Sequence, residues 1–143
     1  MPQYFTDKLK EVTRIGAYGI ALKEDSILLV DKIQGPYTGL LDLPGGGVES
    51  GEHPEDTLKR EFVEEVAMEF RSMTFVERHA FQLEVNKDGE NFHFYHFGYL
   101  YRVAGFTEIS DALAEETFGW YPISTLDLER LTPFARAAVQ IHY

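Results

Sequence analysis

The sequence predicts a mixed fold of the α/β or α+β class, in which a β-sheet packs against a few helices. Two observations support this. Strand-like and helix-like segments follow one another along the chain, and 44% of the residues are hydrophobic and 14% aromatic, as in packed globular proteins. The 143 residues show no repeat and no Gly/Ser-rich linker. We therefore expect a single domain over residues 1–143.

The first elements are two apolar strands, residues 15–22 and 26–30, joined by a short polar turn. The segment that follows, residues 31–51, contains too many glycines and prolines for a helix or a central strand. Long loops inside compact domains are commonly functional. The apolar residues around Leu41 predict that this loop is held in the core.

A helix is predicted over residues 54–68. Pro54 suits the first helical position because it has no N–H to leave unpaired, and His53 is placed as the capping residue. Acidic residues in the first turn match the positive end of the helix dipole. Apolar residues recur with helical spacing and should form the buried stripe: Leu58, Phe62 and Val66.

Two longer strands are predicted over residues 74–85 and 92–103, separated by a turn-rich segment. Most of the aromatic residues of the second strand are expected in the core, because a strand that is apolar on both faces is usually buried, and stacking on a nucleobase is the alternative. His93 and His96, on opposite faces of this strand, are expected to be structural. Ser124 is assigned as the cap of a short helix, and Thr132 with Pro133 as the start of another. The last helix should carry Phe134, Ala137, Ala138 and Ile141.

The chain is acidic, with 24 Asp and Glu against 13 Lys and Arg and a formal net charge of −11. This charge disfavours binding to nucleic acid. The absence of cysteine excludes disulfides and thiolate metal sites. The N-terminus lacks a leader pattern, and no apolar stretch approaches the roughly 18 residues of a membrane span. We expect a cytoplasmic protein with neither nucleic acid nor membrane as a partner.

A cluster of carboxylates is predicted on the helix beside the buried stripe. Glu61, Glu64 and Glu65 fall within an arc of about 100°, where like charges repel one another. Lys59 and Arg60 are expected to project elsewhere on the helical wheel. A hard cation such as Mg²⁺ would relieve the repulsion because it prefers carboxylate oxygens. The alternative is an ordinary solvated acidic face.

Three glycines, residues 45–47, shortly precede this helix and would let the backbone approach a ligand closely, although a simple tight turn is the alternative. Residues 46–68 carry seven acidic and two basic side chains, nearly half of the excess negative charge. Divalent cations would reverse this local charge. The acidity is therefore compatible with a small phosphorylated ligand.

This segment resembles the Nudix box of the Nudix (MutT-like) hydrolase superfamily. The flanking Leu-Pro-Gly-Gly and Trp-Tyr-Pro segments are similar as well. One position departs from the family pattern, because Ala67 replaces a glycine. Alanine tolerates the left-handed conformation poorly, so we expect a changed helix end and intact chemistry. The residues that carry the resemblance are Gly46, Glu52, Arg60, Glu61, Phe62, Glu64 and Glu65.

The resemblance implies a Nudix-type α/β/α sandwich with a mixed β-sheet. It also implies Mg²⁺- or Mn²⁺-dependent hydrolysis of a pyrophosphate bond in a nucleoside diphosphate linked to another moiety. The implied metal ligands are Glu61, Glu64, Glu65 and a carbonyl of Gly45 or Gly46. Glu52 and Arg60 support them, and Gly46 and Gly47 bind substrate. Glu61 is the first choice for the general base, with Glu115 and Glu116 as alternatives.

Two other functions stay open: a non-catalytic nucleotide-sensing Nudix domain and a purely structural acidic domain. Sensor domains usually lose the box carboxylates, which this chain keeps. By the family resemblance, ADP-ribose hydrolases carry a proline about 15 residues after the box, and NADH hydrolases carry a Ser-Gln-Pro-Trp stretch. Residues 68–104 contain no proline and no such stretch, which argues against both substrates. Nucleoside triphosphates, damaged nucleotides and other conjugates are not separated by the sequence. A homodimer is possible.

Overall fold

The computed structural model describes residues 10–35, 37–109 and 113–141, and it contains one large and one small β-sheet. The N-terminal residues on which the expectation about a leader depends lie outside these ranges. No helix in the described ranges is long and apolar enough to cross a membrane. The strands are β1 (Lys10–Lys23), β2 (Ser26–Asp31), β3 (Leu41–Asp42), β4 (Gly45–Gly47), β5 (Met68–Glu69), β6 (Ser72–Lys87), β7 (Glu90–Ala104), β8 (Thr107–Glu108) and β9 (Phe118–Pro122). The helices are α1 (Pro54–Val66) and α2 (Pro133–Ile141).

The large sheet is mixed and has the order β3-β2-β1-β7-β6, with β4 paired to β1 and β9 to β2. Strand β1 lies at its centre. It runs parallel to β7 from Lys10 to Ala21 and antiparallel to β2 at the predicted hairpin. Gly45–Gly47 add a short antiparallel strand beside Gly16–Tyr18. This pairing fixes the glycine segment against the middle of the sheet.

The two helices cover opposite faces of this sheet. On one face, α1 buries its predicted stripe of Leu58, Phe62 and Val66 against residues that include Ala21. On the other face, α2 packs Phe134 and neighbouring residues against a core that includes Ile20. Successive residues of a strand point to opposite faces, so Ile20 and Ala21 belong to different cores. The α/β/α layering is confirmed.

Two local predictions are wrong. Ser124 lies within a 3₁₀ turn, Ile123–Thr125, whose cap position is Pro122. The aromatic residues of β7 are mostly half-buried and not in the core, and only Tyr101 among the six is buried. The half-buried aromatics are Phe92, Phe94, Tyr95, Phe97 and Tyr99.

Two helix starts show how capping operates in this chain. Thr132 caps α2 as predicted, because its Oγ1 accepts a hydrogen bond from the Ala135 N–H at 3.2 Å. His53 occupies the cap position of α1, but its side chain makes no capping bond. Its main-chain carbonyl accepts from Thr57 N–H at 3.0 Å instead. The identity of residue 53 is therefore not what starts α1.

The end of α1 differs from the expectation about the missing glycine. The helix stops at Val66, and Ala67 adopts the left-handed conformation with φ 53° and ψ 44°. Its N–H donates to the carbonyls of Phe62 and Val63, as in a glycine-capped helix. The alanine keeps the usual geometry at a cost in backbone strain.

Candidate active site

Arg60 connects most of the predicted site residues. Its Nε and Nη2 donate to the two carboxylate oxygens of Glu52 at 2.9 and 3.1 Å. Its Nη1 donates to Glu61 Oε1 at 3.0 Å and to Glu64 Oε2 at 3.3 Å. The expectation that Arg60 projects away from the carboxylates is wrong, because the long side chain folds back along the helix. Three carboxylates are held by one planar cation.

Glu52 is fixed from several sides just before α1. Its Oε1 accepts from Thr57 Oγ1 at 2.7 Å and from Glu49 N–H at 3.0 Å. The hydrogen bonds from Arg60, the Glu49 N–H and the Thr57 hydroxyl lower the pKa of Glu52 to about 2. Glu52 is therefore ionised at neutral pH and holds the guanidinium in one orientation.

Glu61 faces the glycine strand β4. A Cβ atom on Gly46 would lie 2.6 Å from the carboxyl carbon of Glu61, so only glycine allows this approach. Burial raises the pKa of Glu61, and the nearby charge of Arg60 opposes that rise. The carboxylate thus lies between the backbone of β4 and the guanidinium.

Glu65 is the most deeply buried carboxylate of α1, at 8% exposure. Its Oε1 accepts from Gly45 N–H at 2.8 Å, the contact that joins the helix to β4. Burial, opposed by that hydrogen bond, raises the pKa of Glu65 to about 8. Among the described residues Arg60 pairs with Glu52, Glu61 and Glu64, whereas Glu65 pairs with no cation.

The segment with the alternative bases docks on the end of α1. Glu115 N–H donates to the carbonyl of Glu64 at 2.9 Å, and Glu116 N–H donates to that of Glu65 at 3.2 Å. These bonds satisfy carbonyls that the helix end leaves unpaired. The structure therefore brings both glutamates to the carboxylate-bearing end of α1, with Glu115 exposed and Glu116 half-buried.

The donor set fits a hard divalent cation in its chemistry. Glu61, Glu64 and Glu65 supply carboxylate oxygens, and the buried Glu65 lacks a positive partner among the described residues. Within the same ranges, no three Asp, Glu or His side chains form a ready-made metal cluster. Arg60 donates to both Glu61 and Glu64, so these two carboxylates would exchange part of that contact for a metal ion.

A cavity of about 330 Å³ opens beside the glycine strand. Its walls come from β1, β4, β7 and the loop after β2, and they include two cationic side chains, Arg14 and Lys32. The guanidinium of Arg14 lies 5.5 Å from the ring centre of Phe94. Gly46 and Gly47, predicted as substrate-binding residues, also line it. The cavity therefore adjoins the carboxylates of α1 through β4.

Two tyrosines and a histidine form one side of this cavity. Tyr18 and Tyr37 place their hydroxyls 3.1 Å from Nε2 and Nδ1 of His96, respectively. Burial lowers the pKa of His96 to about 4, so the ring is neutral. A neutral imidazole has one donor and one acceptor nitrogen. One tyrosine hydroxyl therefore accepts from His96 and keeps its own proton for another acceptor.

Asp42 is a buried carboxylate on the cavity wall, at 4% exposure. Its Oδ1 accepts from Leu43 N–H at 2.8 Å and from Thr132 Oγ1 at 2.6 Å. No described residue donates a hydrogen bond to its Oδ2. Burial raises the pKa of Asp42, against the Thr132 hydrogen bond and the charge of Lys32. One oxygen is held by the fold, and the other makes no hydrogen bond with the described residues.

Sequence reasoning did not identify several residues of this region. Thr57 carries no family signal in the residues quoted above, yet it is fully buried and orients Glu52. In the sequence, Asp42 belongs to the apolar residues around Leu41 that are predicted to hold the loop in the core, and no functional role is predicted for it. A polar residue between two core leucines is the one signal that pointed to it. Arg14 and Lys32 were missed because nothing local distinguishes them from surface cations.

The layered fold and the carboxylate site together define the class of protein. The protein is an α/β/α sandwich in which an acidic helix faces a glycine strand, next to a cavity with cationic walls. A family model described as the NUDIX domain matches residues 12–140. The chain therefore belongs to the NUDIX family, as the resemblance implied.

Two curated proteins share local sequence similarity with the chain. Over 74 residues it is 33% identical to an 8-oxo-dGTP diphosphatase from Haemophilus influenzae, covering 51% of this chain and 54% of that protein. Over 50 residues it is 42% identical to an ADP-ribose pyrophosphatase from Methanocaldococcus jannaschii, covering 35% of this chain and 30% of that protein. The chain thus spans about a third to a half of the length of these relatives.

Solved structures share the fold over nearly the whole chain. A MutT NUDIX hydrolase from Burkholderia pseudomallei superposes with a TM-score of 0.70 at 22% identity, covering 90% of this chain and 97% of that one. A NUDIX hydrolase from Nitrosomonas europaea gives a TM-score of 0.67 at 18% identity, covering 92% and 88%. At this identity the likeness concerns the fold.

Proposed function

We propose that the protein hydrolyses a phosphoanhydride bond in a nucleoside diphosphate linked to another moiety, with Mg²⁺ or Mn²⁺ as cofactor. The observation that carries the proposal is the arrangement of Glu61 and Glu65 directly against the glycine strand, with Arg60 bonded to Glu61. A solvated acidic face would not need this close packing. The family membership supports the same activity.

The proposed metal ligands are Glu61, Glu64, Glu65 and the main-chain carbonyl of Gly45. When bound, a divalent ion neutralises phosphate charge and lowers the pKa of a coordinated water. Arg60 holds the carboxylates in place, and Glu52 holds Arg60 through two hydrogen bonds. Gly46 and Gly47 line the cavity beside β4, where the backbone would contact the diphosphate.

Glu61 is the proposed general base. Its burial raises its pKa, which makes the carboxylate a better proton acceptor. Glu115 and Glu116 are the alternatives because their backbones dock on the end of α1. Replacing the base by glutamine should lower kcat by about 10²- to 10⁴-fold. If Glu61→Gln retains the wild-type kcat and Glu115→Gln or Glu116→Gln does not, the base lies on the docked segment.

The names of the two curated relatives concern different nucleotides, 8-oxo-dGTP and ADP-ribose. Both compounds contain a nucleoside diphosphate linked to a further group, and this shared unit is the substrate class that we propose. The test is a nucleotide panel that includes both compounds, incubated with Mg²⁺ and assayed for released phosphate, pyrophosphate or nucleoside monophosphate. Glu64→Gln and Glu65→Gln serve as ligand variants.

The alternative function is a nucleotide sensor that binds without turnover. It is favoured if no compound of the panel is hydrolysed while nucleotides still raise the melting temperature. Hydrolysis that ceases in EDTA and returns with Mg²⁺ supports the enzyme. Hydrolysis that persists unchanged in EDTA contradicts the metal site.

A further inference from the structure

Asp42 is a buried carboxylate residue that lines the cavity beside β4. Its Oδ1 is committed to the fold through Leu43 and Thr132, which fixes the orientation of the carboxylate. Its Oδ2 receives no hydrogen bond from the described residues, and the residue lines the cavity. The residue is only 4% exposed, so a donor from a ligand would replace the hydration that this oxygen loses.

The surroundings of Asp42 suit a flat heterocycle. The cavity has half-buried aromatic and apolar walls that include Phe94 and Leu83, and its volume of about 330 Å³ is at the lower end of small-molecule sites. One hydroxyl of the Tyr18–His96–Tyr37 group has a proton free to donate. The cavity thus combines a recessed acceptor with a donor.

Exocyclic amino groups match this pattern. They project from the edge of adenine, cytosine and guanine and carry hydrogens that a recessed carboxylate oxygen can accept. Hypoxanthine and uracil have a carbonyl oxygen where adenine and cytosine have the amino group. In these two bases the ring N–H lies next to the carbonyl oxygen. If the ring N–H approached the carboxylate, the carbonyl oxygen would come close to it as well and would be repelled. A fixed acceptor on the wall therefore distinguishes amino-bearing from deaminated bases.

We propose that the cavity binds the nucleobase of the substrate and that Asp42 selects bases with an exocyclic amino group, by accepting a hydrogen bond at Oδ2. The inference depends on the proposed function, because it names the substrate class of that site. Arg14 and Lys32 also line the cavity, and in this arrangement they would contact the phosphate groups of the nucleotide. Asp42 is thus a specificity-determining residue that lies outside the carboxylate cluster of α1.

Asp42→Asn tests the proposal because it changes one atom. The amide oxygen can keep both hydrogen bonds of Oδ1, while the cavity-facing atom changes from an acceptor to a donor. Asp31→Asn is the matched control: it removes the same charge from the end of β2, and Asp31 does not line the cavity. Circular dichroism and melting temperature establish that both variants are folded.

The readout is the dissociation constant of nucleoside monophosphates, measured by titration calorimetry with Mg²⁺ present. These compounds contain no phosphoanhydride, so the measurement does not depend on hydrolysis. In AMP/IMP and CMP/UMP a carbonyl oxygen replaces the amino group, and GMP differs from IMP by the amino group at C2. We expect the amino-bearing member of at least one pair to bind tenfold or more tightly. Asp42→Asn should abolish that preference, and Asp31→Asn should retain it.

The proposal is overturned if no pair shows the tenfold preference, if the members that lack the amino group bind better, if no monophosphate binds measurably, or if Asp42→Asn keeps the wild-type ratio. Hydrolysis of the triphosphates is followed separately. Turnover without base preference refutes only the role of Asp42. Base preference without turnover refutes the hydrolase and leaves the nucleotide site standing.

Discussion

Replacing Ala67 by glycine should stabilise the protein. Ala67 ends α1 in the left-handed region, with φ 53° and ψ 44°, and this conformation costs a residue with a Cβ atom about 1–2 kcal/mol. Glycine removes that cost, but its greater freedom in the unfolded chain returns about 0.4–1 kcal/mol. The free energy of unfolding should therefore rise by about 0.5–1 kcal/mol. For a chain of this size the melting temperature should rise by roughly 2–4 °C.

Urea unfolding measures the effect, provided that the slope m is the same in both proteins. Lys59→Gly is the matched control because Lys59 is an exposed residue inside α1 with ordinary helical geometry. This control should lose roughly 0.7–1 kcal/mol. An Ala67→Gly protein with an unfolding midpoint at or below that of the wild type would refute the assignment of strain to Ala67.

Three further predictions concern the site. Gly46→Ala should lower the rate of hydrolysis at least tenfold, because the new Cβ atom would lie 2.6 Å from the carboxyl carbon of Glu61. The helical circular dichroism signal should not change. A Gly46→Ala enzyme with wild-type activity would contradict the close packing. Arg60→Lys should raise the Mg²⁺ concentration for half-maximal activity about 10-fold, since lysine cannot bond Glu52 through two nitrogens. An unchanged Mg²⁺ dependence would argue against a role of Arg60 in positioning the carboxylates. The pKa of His96 is lowered from 6.5 to about 4, so its contribution to stability is complete above pH 6.5 and is lost as the pH falls towards 4. As the pH falls from 6.5 to 4, the urea concentration at the unfolding midpoint should decrease less for His96→Gln than for the wild type. An equal decrease in both proteins would exclude His96 as the titrating group.

The sequence predicted the features that depend on local periodicity. The stripe of α1, the first hairpin and the two long strands follow from the spacing of apolar residues, and each is present. The start of α2 at Pro133 follows from the side-chain oxygen of Thr132, which is a property of two neighbouring residues. Such signals do not depend on how distant segments meet.

The cavity could not be predicted in the same way. Tyr18, Tyr37 and His96 come from three separate segments and meet only because β1 pairs with β7 and the loop after β2 folds over them. The second hydrogen bond of Asp42 Oδ1 comes from Thr132, which lies 90 residues further along the sequence. The reach of Arg60 was misjudged because a helical wheel places Cβ atoms and ignores the length of a flexible side chain.

The parallel pairing of β1 with β7 also has a consequence for how the chain folds. Lys10 pairs with Phe92, so the centre of the sheet closes a loop of roughly 80 residues, and closing that loop costs the folding chain conformational entropy. The β6–β7 hairpin, joined at Asp88 and Gly89, needs no such closure. We therefore expect this hairpin to form first and β1 to dock on it slowly. Until β1 docks, the glycine strand has no partner and the carboxylates of α1 have no opposing surface, so nucleotide binding should be among the last properties that a refolding chain acquires.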